Sequence, residues 1–257
     1  MSARLVPDSP VAAKVFPSPN HGERKDGRRP DILLLHYTGM PDETEALQWL
    51  CNPVSQVSSH YFVFEDGRVL QLVPEGRRAW HAGRSSWDGE SDINSASIGV
   101  EIANPGHPAG MPPFGDAQIE SVIALARDIA RRWRLAPERV LAHSDVAPGR
   151  KLDPGEAFPW ERLHRAGVGH WVAPEPVRDG RFFQRGDEGM PVEALQAMLA
   201  MYGYGLRITG AFDDDTEAVV LAFQRHFRPE RVDGIADAST ITTLRNLIAT
   251  RPGPPVA

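Results

Sequence analysis

Two of the nine histidines stand where apolar runs end. His36 follows Ile32-Leu33-Leu34-Leu35, and His143 follows Val140-Leu141-Ala142. Asp153 lies ten residues beyond His143. Two imidazoles and a carboxylate make a three-ligand set for a divalent metal, with the fourth position left for water, which is the catalytic form of a zinc site. The same spacing also fits strand-end histidines bonded to backbone, so spacing alone leaves both readings open. Rival motifs are missing: there is no His-Glu-x-x-His pair and no Gly-x-Ser-x-Gly elbow. Cys51 is the single cysteine, which excludes an intrachain disulfide and a thiolate zinc cluster and reads as an inert packed thiol.

Two further residues carry a chemical hint. Only three of the 28 basic residues are lysines, namely Lys14, Lys25 and Lys151. Lys151 stands two residues before Asp153, and in an extended loop the two side chains point the same way. Glu101 interrupts the apolar run Ser97-Ile98-Gly99-Val100-Glu101-Ile102 and shares a face with Gly99. It reads either as a solvent-facing strand residue or as a general base aimed at a metal-bound water.

These residues need a scaffold, and the patterning supplies one. The run 31–36 reads as a strand buried on both faces. Asp42 stands at an N-cap ahead of a helix carrying Ala46, Leu47, Trp49 and Leu50. The runs 61–64 and 69–72 flank Asp66-Gly67, which predicts a hairpin. A strand over 97–102 and an amphipathic helix over 116–133 follow, then a strand over 139–142 that runs into His143. Interleaved helices and strands predict an α/β domain with a mixed central sheet flanked by helices. Residues 1–30 read as an N-terminal arm, with a solvated basic loop near Arg24–Arg29. The main domain spans 31–165, and 166–180 reads as a linker.

Beyond the linker, 181–250 predicts a small three-helix module. It contains a weak repeat: Gly210-x-x-Asp213-x-x-Thr216 recurs as Gly234-x-x-Asp237-x-x-Thr240. Each copy places Gly in a turn, Asp at a helix N-cap and Thr in the first turn.

The chain of 257 residues carries a net charge of −6, which gives no electrostatic footprint for nucleic acid. No run approaches the length of a transmembrane segment. The first residues lack the apolar core of a secretory signal.

Five ordered segments are similar to one known family: Leu34-Leu-His-Tyr-Thr38, Ser58-Ser-His-Tyr61, Ala79-Trp-His-Ala-Gly83, Ser97-Ile-Gly-Val-Glu101, and His143-Ser-Asp145 with Lys151-Leu-Asp153. They resemble the zinc-dependent N-acetylmuramoyl-L-alanine amidases of the AmpD and AmiD type, within the peptidoglycan-recognition superfamily, and cover roughly residues 30–160. The resemblance implies zinc ligated by His36, His143 and Asp153, with Glu101 activating water and Lys151 stabilising the oxyanion. It implies a peptidoglycan or muropeptide substrate, with the muramic acid in its ordinary or 1,6-anhydro form. Tyr37, Trp80, His81 and Asn94 are candidates for the substrate groove. His60 reads as a packing or supporting residue, and the other five histidines receive no role. The 181–250 segment, with Gly186-Asp-Glu-Gly189, Leu195-Gln196 and Phe223-Gln224, resembles a peptidoglycan-binding module.

Two alternatives stand beside the amidase reading. A non-catalytic recognition protein of the same superfamily would lack a full metal set. A glycosidase with paired carboxylates would keep its activity after metal removal. Nothing in the sequence calls for a protein partner. The wall-binding module favours the periplasm or cell envelope, whereas the missing secretory signal favours the cytoplasm.

Overall fold

The computed structural model describes residues 6–178, 180 and 182–252. The first five residues of the arm, and Asp179 and Arg181 at the linker–module boundary, lie outside the described residues.

Two short strands come first, β1 (Lys14–Val15) and β2 (His21–Glu23), then β3 (Ile32–Tyr37) and helix α1 (Glu43–Leu50). The hairpin β4 (Tyr61–Val63) and β5 (Val69–Gln71) follows, with β6 (Arg77–Ala79), the short helix α2 (Ile93–Ala96) and β7 (Ser97–Ile102). Next come α3 (Asp116–Trp133), β8 (Val140–Ala142), α4 (His143–Val146) and α5 (Trp160–Arg165). Helices α6 (Met190–Tyr202), α7 (Asp214–Phe227) and α8 (Ala238–Thr250) complete the chain.

Six strands form one mixed sheet in the order β1-β5-β4-β7-β3-β8. The central run β4-β7-β3-β8 is parallel and β5 is antiparallel to β4. The hairpin turns through Gly67 at φ 86°, a conformation that costs glycine no Cβ clash. The N-cap expected at Asp42 is present, its carboxylate accepting from the Thr44 and Glu45 N–H groups.

Alternation along the parallel strands divides the sheet into two faces. Leu33, Leu35, Ile98, Val100 and Ile102 pack under α3 against Ile119, Val122, Ile123, Ala126 and Ile129. Each such large aliphatic side chain contributes roughly 1.5–3 kcal/mol on full burial. The opposite face carries Leu34, His36, Gly99, Glu101 and Leu141. Ile32, Leu34, Leu141, Val146 and Ala147 share one apolar cluster with Val219, Val220 and Phe223 of α7, so the C-terminal helices rest on the same side of the sheet as His36.

The repeat in the module is wired identically in its two copies. Asp213 and Asp237 cap α7 and α8 by accepting from the N–H of Thr216 and Thr240. Gln196 Oε1 accepts from the Thr209 and Gly210 N–H groups, and Gln224 Oε1 from those of Asp233 and Gly234.

One expectation needs correction. The arm is strapped onto the domain: β1 pairs with β5, β2 pairs with β6, and Arg24 is buried rather than solvated. Its guanidinium donates to the carbonyls of Glu75, Asn94 and Ser95, which offsets the cost of burial. Burial lowers its pKa to about 10. The stretch 166–178 has no helix or strand, as a linker would, yet it is packed onto the rest of the fold. His170 is buried between Tyr202 and Thr250, bonding both at 2.9 and 3.1 Å, and Trp171 packs against the core.

Candidate functional site

The parallel strands deliver the site residues to one edge of the sheet. His36 is near the end of β3, Glu101 near the end of β7, and His143 begins α4 directly after β8. His36 and Glu101 are direct partners across β3 and β7. Ligand sites at the carboxyl ends of parallel strands are the rule in α/β sheets, because the loops that leave there converge. The loop after α4 returns Asp153 to the same point, and the Ser144 N–H donates to the Asp153 carbonyl at 3.0 Å.

Three polar atoms meet there. His36 Nδ1 lies 2.9 Å from His143 Nδ1 and 3.0 Å from Asp153 Oδ2, and His143 Nδ1 lies 2.9 Å from Asp153 Oδ2. All three residues are buried.

The surrounding hydrogen bonds assign the tautomers. His143 Nε2 faces the Ala82 carbonyl at 3.0 Å, so it carries the proton and Nδ1 keeps a lone pair. The Ser97 hydroxyl donates its proton to the Ile93 carbonyl at 2.5 Å, so it accepts from His81 Nε2 at 3.4 Å. His81 Nδ1 is then an acceptor, and His36 Nε2 donates to it at 3.1 Å. His36 Nδ1 is left with its lone pair. Two lone pairs and a carboxylate oxygen converge with no proton between them, which is the donor set a divalent cation satisfies. Metal-ligating histidines are held in this manner by a partner on the far nitrogen.

The electrostatics agree. Burial and then His143 lower the His36 pKa to about 4, so the ring is neutral and free to ligate. Burial pushes the Asp153 carboxyl up, but His143 and His36 outweigh it and hold it well below the usual carboxylate range. Glu101 behaves oppositely: burial, then repulsion from Asp153, raise its pKa well above the ordinary value, against the pull of Lys151. Glu101 Oε2 is buried with no hydrogen-bond partner among the described residues. A carboxylate with a free lone pair and a raised pKa is suited to accept and return a proton.

A groove of about 590 Å³ opens above this cluster. His36, Glu101, His143, Lys151 and Asp153 line it, with Tyr37, Trp80 and His81. Trp49, Val57 and Leu152 add an apolar rim. Asn94 is not among the residues that line the groove, and its Oδ1 accepts from the His81 and Ala82 N–H groups at 2.9 and 2.8 Å. His81 does more than line the wall, since it anchors His36. His60 is buried as a supporting residue, its Nδ1 accepting from the Gly99 N–H and its Nε2 facing the Arg77 carbonyl. Gly99 has a steric reason: a Cβ there would lie 2.6 Å from the His81 ring.

His107 was missed. It lines the groove, with Nδ1 3.0 Å from the Tyr37 hydroxyl and Nε2 3.1 Å from Glu156. It stands in a Pro/Gly loop whose sequence has no periodicity to announce a role. The Ser97 relay was equally invisible, since a serine at a strand start has many ordinary uses.

Comparison with known proteins places this geometry. Residues 26–156 match the family described as N-acetylmuramoyl-L-alanine amidase, and residues 188–244 match a peptidoglycan binding domain. The chain is 41% identical over 223 residues to the N-acetylmuramoyl-L-alanine amidase AmiD of Escherichia coli, spanning 81% of this chain and 79% of that one. It is 33% identical over 171 residues to the 1,6-anhydro-N-acetylmuramyl-L-alanine amidase AmpD of Enterobacter cloacae, spanning 60% of this chain and 89% of that one. The E. coli AmiD structure in complex with anhydro-N-acetylmuramic acid-L-Ala-D-gamma-Glu-L-Lys superposes with a TM-score of 0.74 at 38% identity, covering 88% of this chain and 91% of that one. AMPDH3 from Pseudomonas aeruginosa, in complex with an anhydromuramic pentapeptide, gives a TM-score of 0.73 at 30% identity, covering 89% and 95%. With the family match over residues 26–156 and 41% identity to AmiD across 81% of this chain, the chain belongs to the N-acetylmuramoyl-L-alanine amidase family.

Proposed function

We propose that this protein hydrolyses the amide bond between N-acetylmuramic acid and L-alanine in peptidoglycan or muropeptides, with zinc held by His36, His143 and Asp153. The observation that carries this reading is the meeting of three proton-free donor atoms in a groove that Glu101 also lines, with one carboxylate oxygen that has no hydrogen-bond partner among the described residues. Zinc bound there supplies Lewis acidity toward the scissile carbonyl and lowers the pKa of its water toward about 7.

The protein's own groups complete the reaction. Glu101 takes the proton from the attacking water as the new C–O bond forms. Lys151 places its ammonium charge where the carbonyl oxygen becomes negative. Such a donor is typically worth about 3–4 kcal/mol of barrier. Glu101 then returns the proton to the alanine nitrogen as the C–N bond breaks, which leaves the lactyl carboxylate on the sugar and a free amine on the peptide. Tyr37, Trp80 and His107 form the walls that orient the sugar and the peptide.

Residues 31–165 form the catalytic part in this reading and 181–250 the part that binds the wall. Relatives named for the 1,6-anhydro form, and similar structures that hold anhydromuramyl peptides, support the anhydro sugar as a substrate. The test is mass analysis of products from a purified anhydromuramyl tripeptide. Free sugar plus intact peptide supports the assignment. Cleavage within the peptide or between sugars contradicts it.

A further inference from the structure

The C-terminal helices sit directly behind the loop that carries two of the proposed ligands. Asp145 lies two residues after His143 in α4 and is fully buried. Its carboxylate accepts three hydrogen bonds. Oδ2 accepts from the Ala142 N–H at 2.8 Å and from His226 Nδ1 at 2.7 Å, and Oδ1 accepts from the Tyr204 hydroxyl at 2.8 Å. The first closes the turn from β8 into α4. The other two come from the module.

Both donors are themselves fixed. The His226 ring is stacked between Trp160 and Phe227, with centroids 3.7 and 3.8 Å away. The Tyr204 ring meets Trp87 edge to face at 4.9 Å, and Trp87 is wholly buried. Further along the ligand loop, a Cβ on Gly149 would lie 3.2 Å from the Ala218 Cβ of α7. The turn that Asp145 closes presents His143, and the next N–H, that of Ser144, holds the Asp153 carbonyl. A module that served only as a tether would need none of this: mobile domains meet through small, polar interfaces, whereas this one is continuous with the core.

We propose that the C-terminal module is a structural part of the metal centre: Tyr204 and His226 are positioning residues that hold Asp145, and through it His143 and Asp153, in ligand geometry. This rests on the metal reading above. It means that zinc binding and docking of the module are reciprocally coupled, each favouring the other.

The test is zinc affinity in the full chain, measured by competition with a chromophoric chelator. Tyr204→Phe and His226→Phe keep the rings and remove the donors. The double variant is expected to bind zinc about 10–100-fold more weakly, the usual loss when a group supporting a metal ligand is removed. His226→Asn keeps an amide donor near the Nδ1 position and is expected to retain more affinity than His226→Phe. On a soluble muropeptide, too small to need the wall-binding function, kcat falls while KM is nearly unchanged. If the double variant does not fold, Tyr204→Phe alone removes one hydroxyl and is read in the same assay. Wild-type zinc affinity in these variants, with altered sedimentation on insoluble peptidoglycan instead, would overturn the proposal and leave a plain tether. No zinc binding by the wild type would overturn the metal reading and this inference with it.

Discussion

His36 and Glu101 are direct partners in the parallel pairing of β3 with β7. Paired residues on adjacent strands project to the same side of a sheet, so register alone sets the proposed base beside the proposed ligand. A slip of one residue would turn Glu101 into the apolar core beneath α3. His36 and Glu101 therefore stand on two inner strands of the sheet, whereas His143 comes from α4 after the edge strand β8, and Lys151 and Asp153 arrive on the loop beyond it.

Glu101→Gln keeps the shape of the side chain and removes its basicity. The expected result is a loss of about 10²–10⁴ in kcat, the usual share of a general base. Zinc affinity should stay near wild type, because Glu101 is not among the ligand set. Stopped assays on a soluble muropeptide, with zinc titration in parallel, separate the two. Retained turnover would remove Glu101 from the mechanism.

Lys151→Ala is expected to lower kcat by about 10²–10³-fold, the range for removing one donor to a developing oxyanion. KM should change little, since the charge acts on a group that forms only during reaction. A rise in KM with kcat intact would instead make Lys151 a ground-state binding residue.

Gly99→Ala tests the histidine relay. The added Cβ would lie 2.6 Å from the His81 ring and force it away from His36. The variant is expected to fold and to bind zinc about 10–100-fold more weakly. Wild-type affinity would mean that the His81 contact does not hold His36.

The sequence marks this centre unevenly, for physical reasons. His36 and His143 are legible because each ends an apolar run, and Glu101 because it breaks one; the strand period then fixes the face of His36 and Glu101. The two Gly-x-x-Asp-x-x-Thr units were legible because capping is local: Asp213 and Asp237 act on the N–H three residues ahead. The burial of Arg24, the hydrogen bonds of Asn94 and the place of His107 are not legible, because their partners are distant in sequence or are backbone carbonyls and N–H groups, which have no residue identity to read. Asp145 is the extreme case: it lies inside the His143-Ser-Asp145 segment, yet the side chains it binds are 59 and 81 residues away.

Acid should destabilise the metal-free protein. Burial, then the Arg24 charge, lower the His60 pKa to about 3, and burial, then His164, lower that of His170 to about 4. Both are depressed below the unfolded value of 6.5, so the unfolded chain binds more protons as pH falls. The stability each confers is complete above pH 6.5 and is lost as pH falls toward its folded pKa. From pH 6.5 to 5.5 the loss for His60 alone is about 1 kcal/mol. Urea midpoints of chelated protein should fall across that window. A flat profile would contradict neutral burial of these rings.

The most direct measurement is amide hydrolysis of a purified anhydromuramyl peptide before chelation, after it, and after stoichiometric zinc is returned. The account predicts loss of turnover on chelation and recovery at one zinc per chain, with no recovery in His143→Ala. Turnover that survives complete metal removal would contradict it.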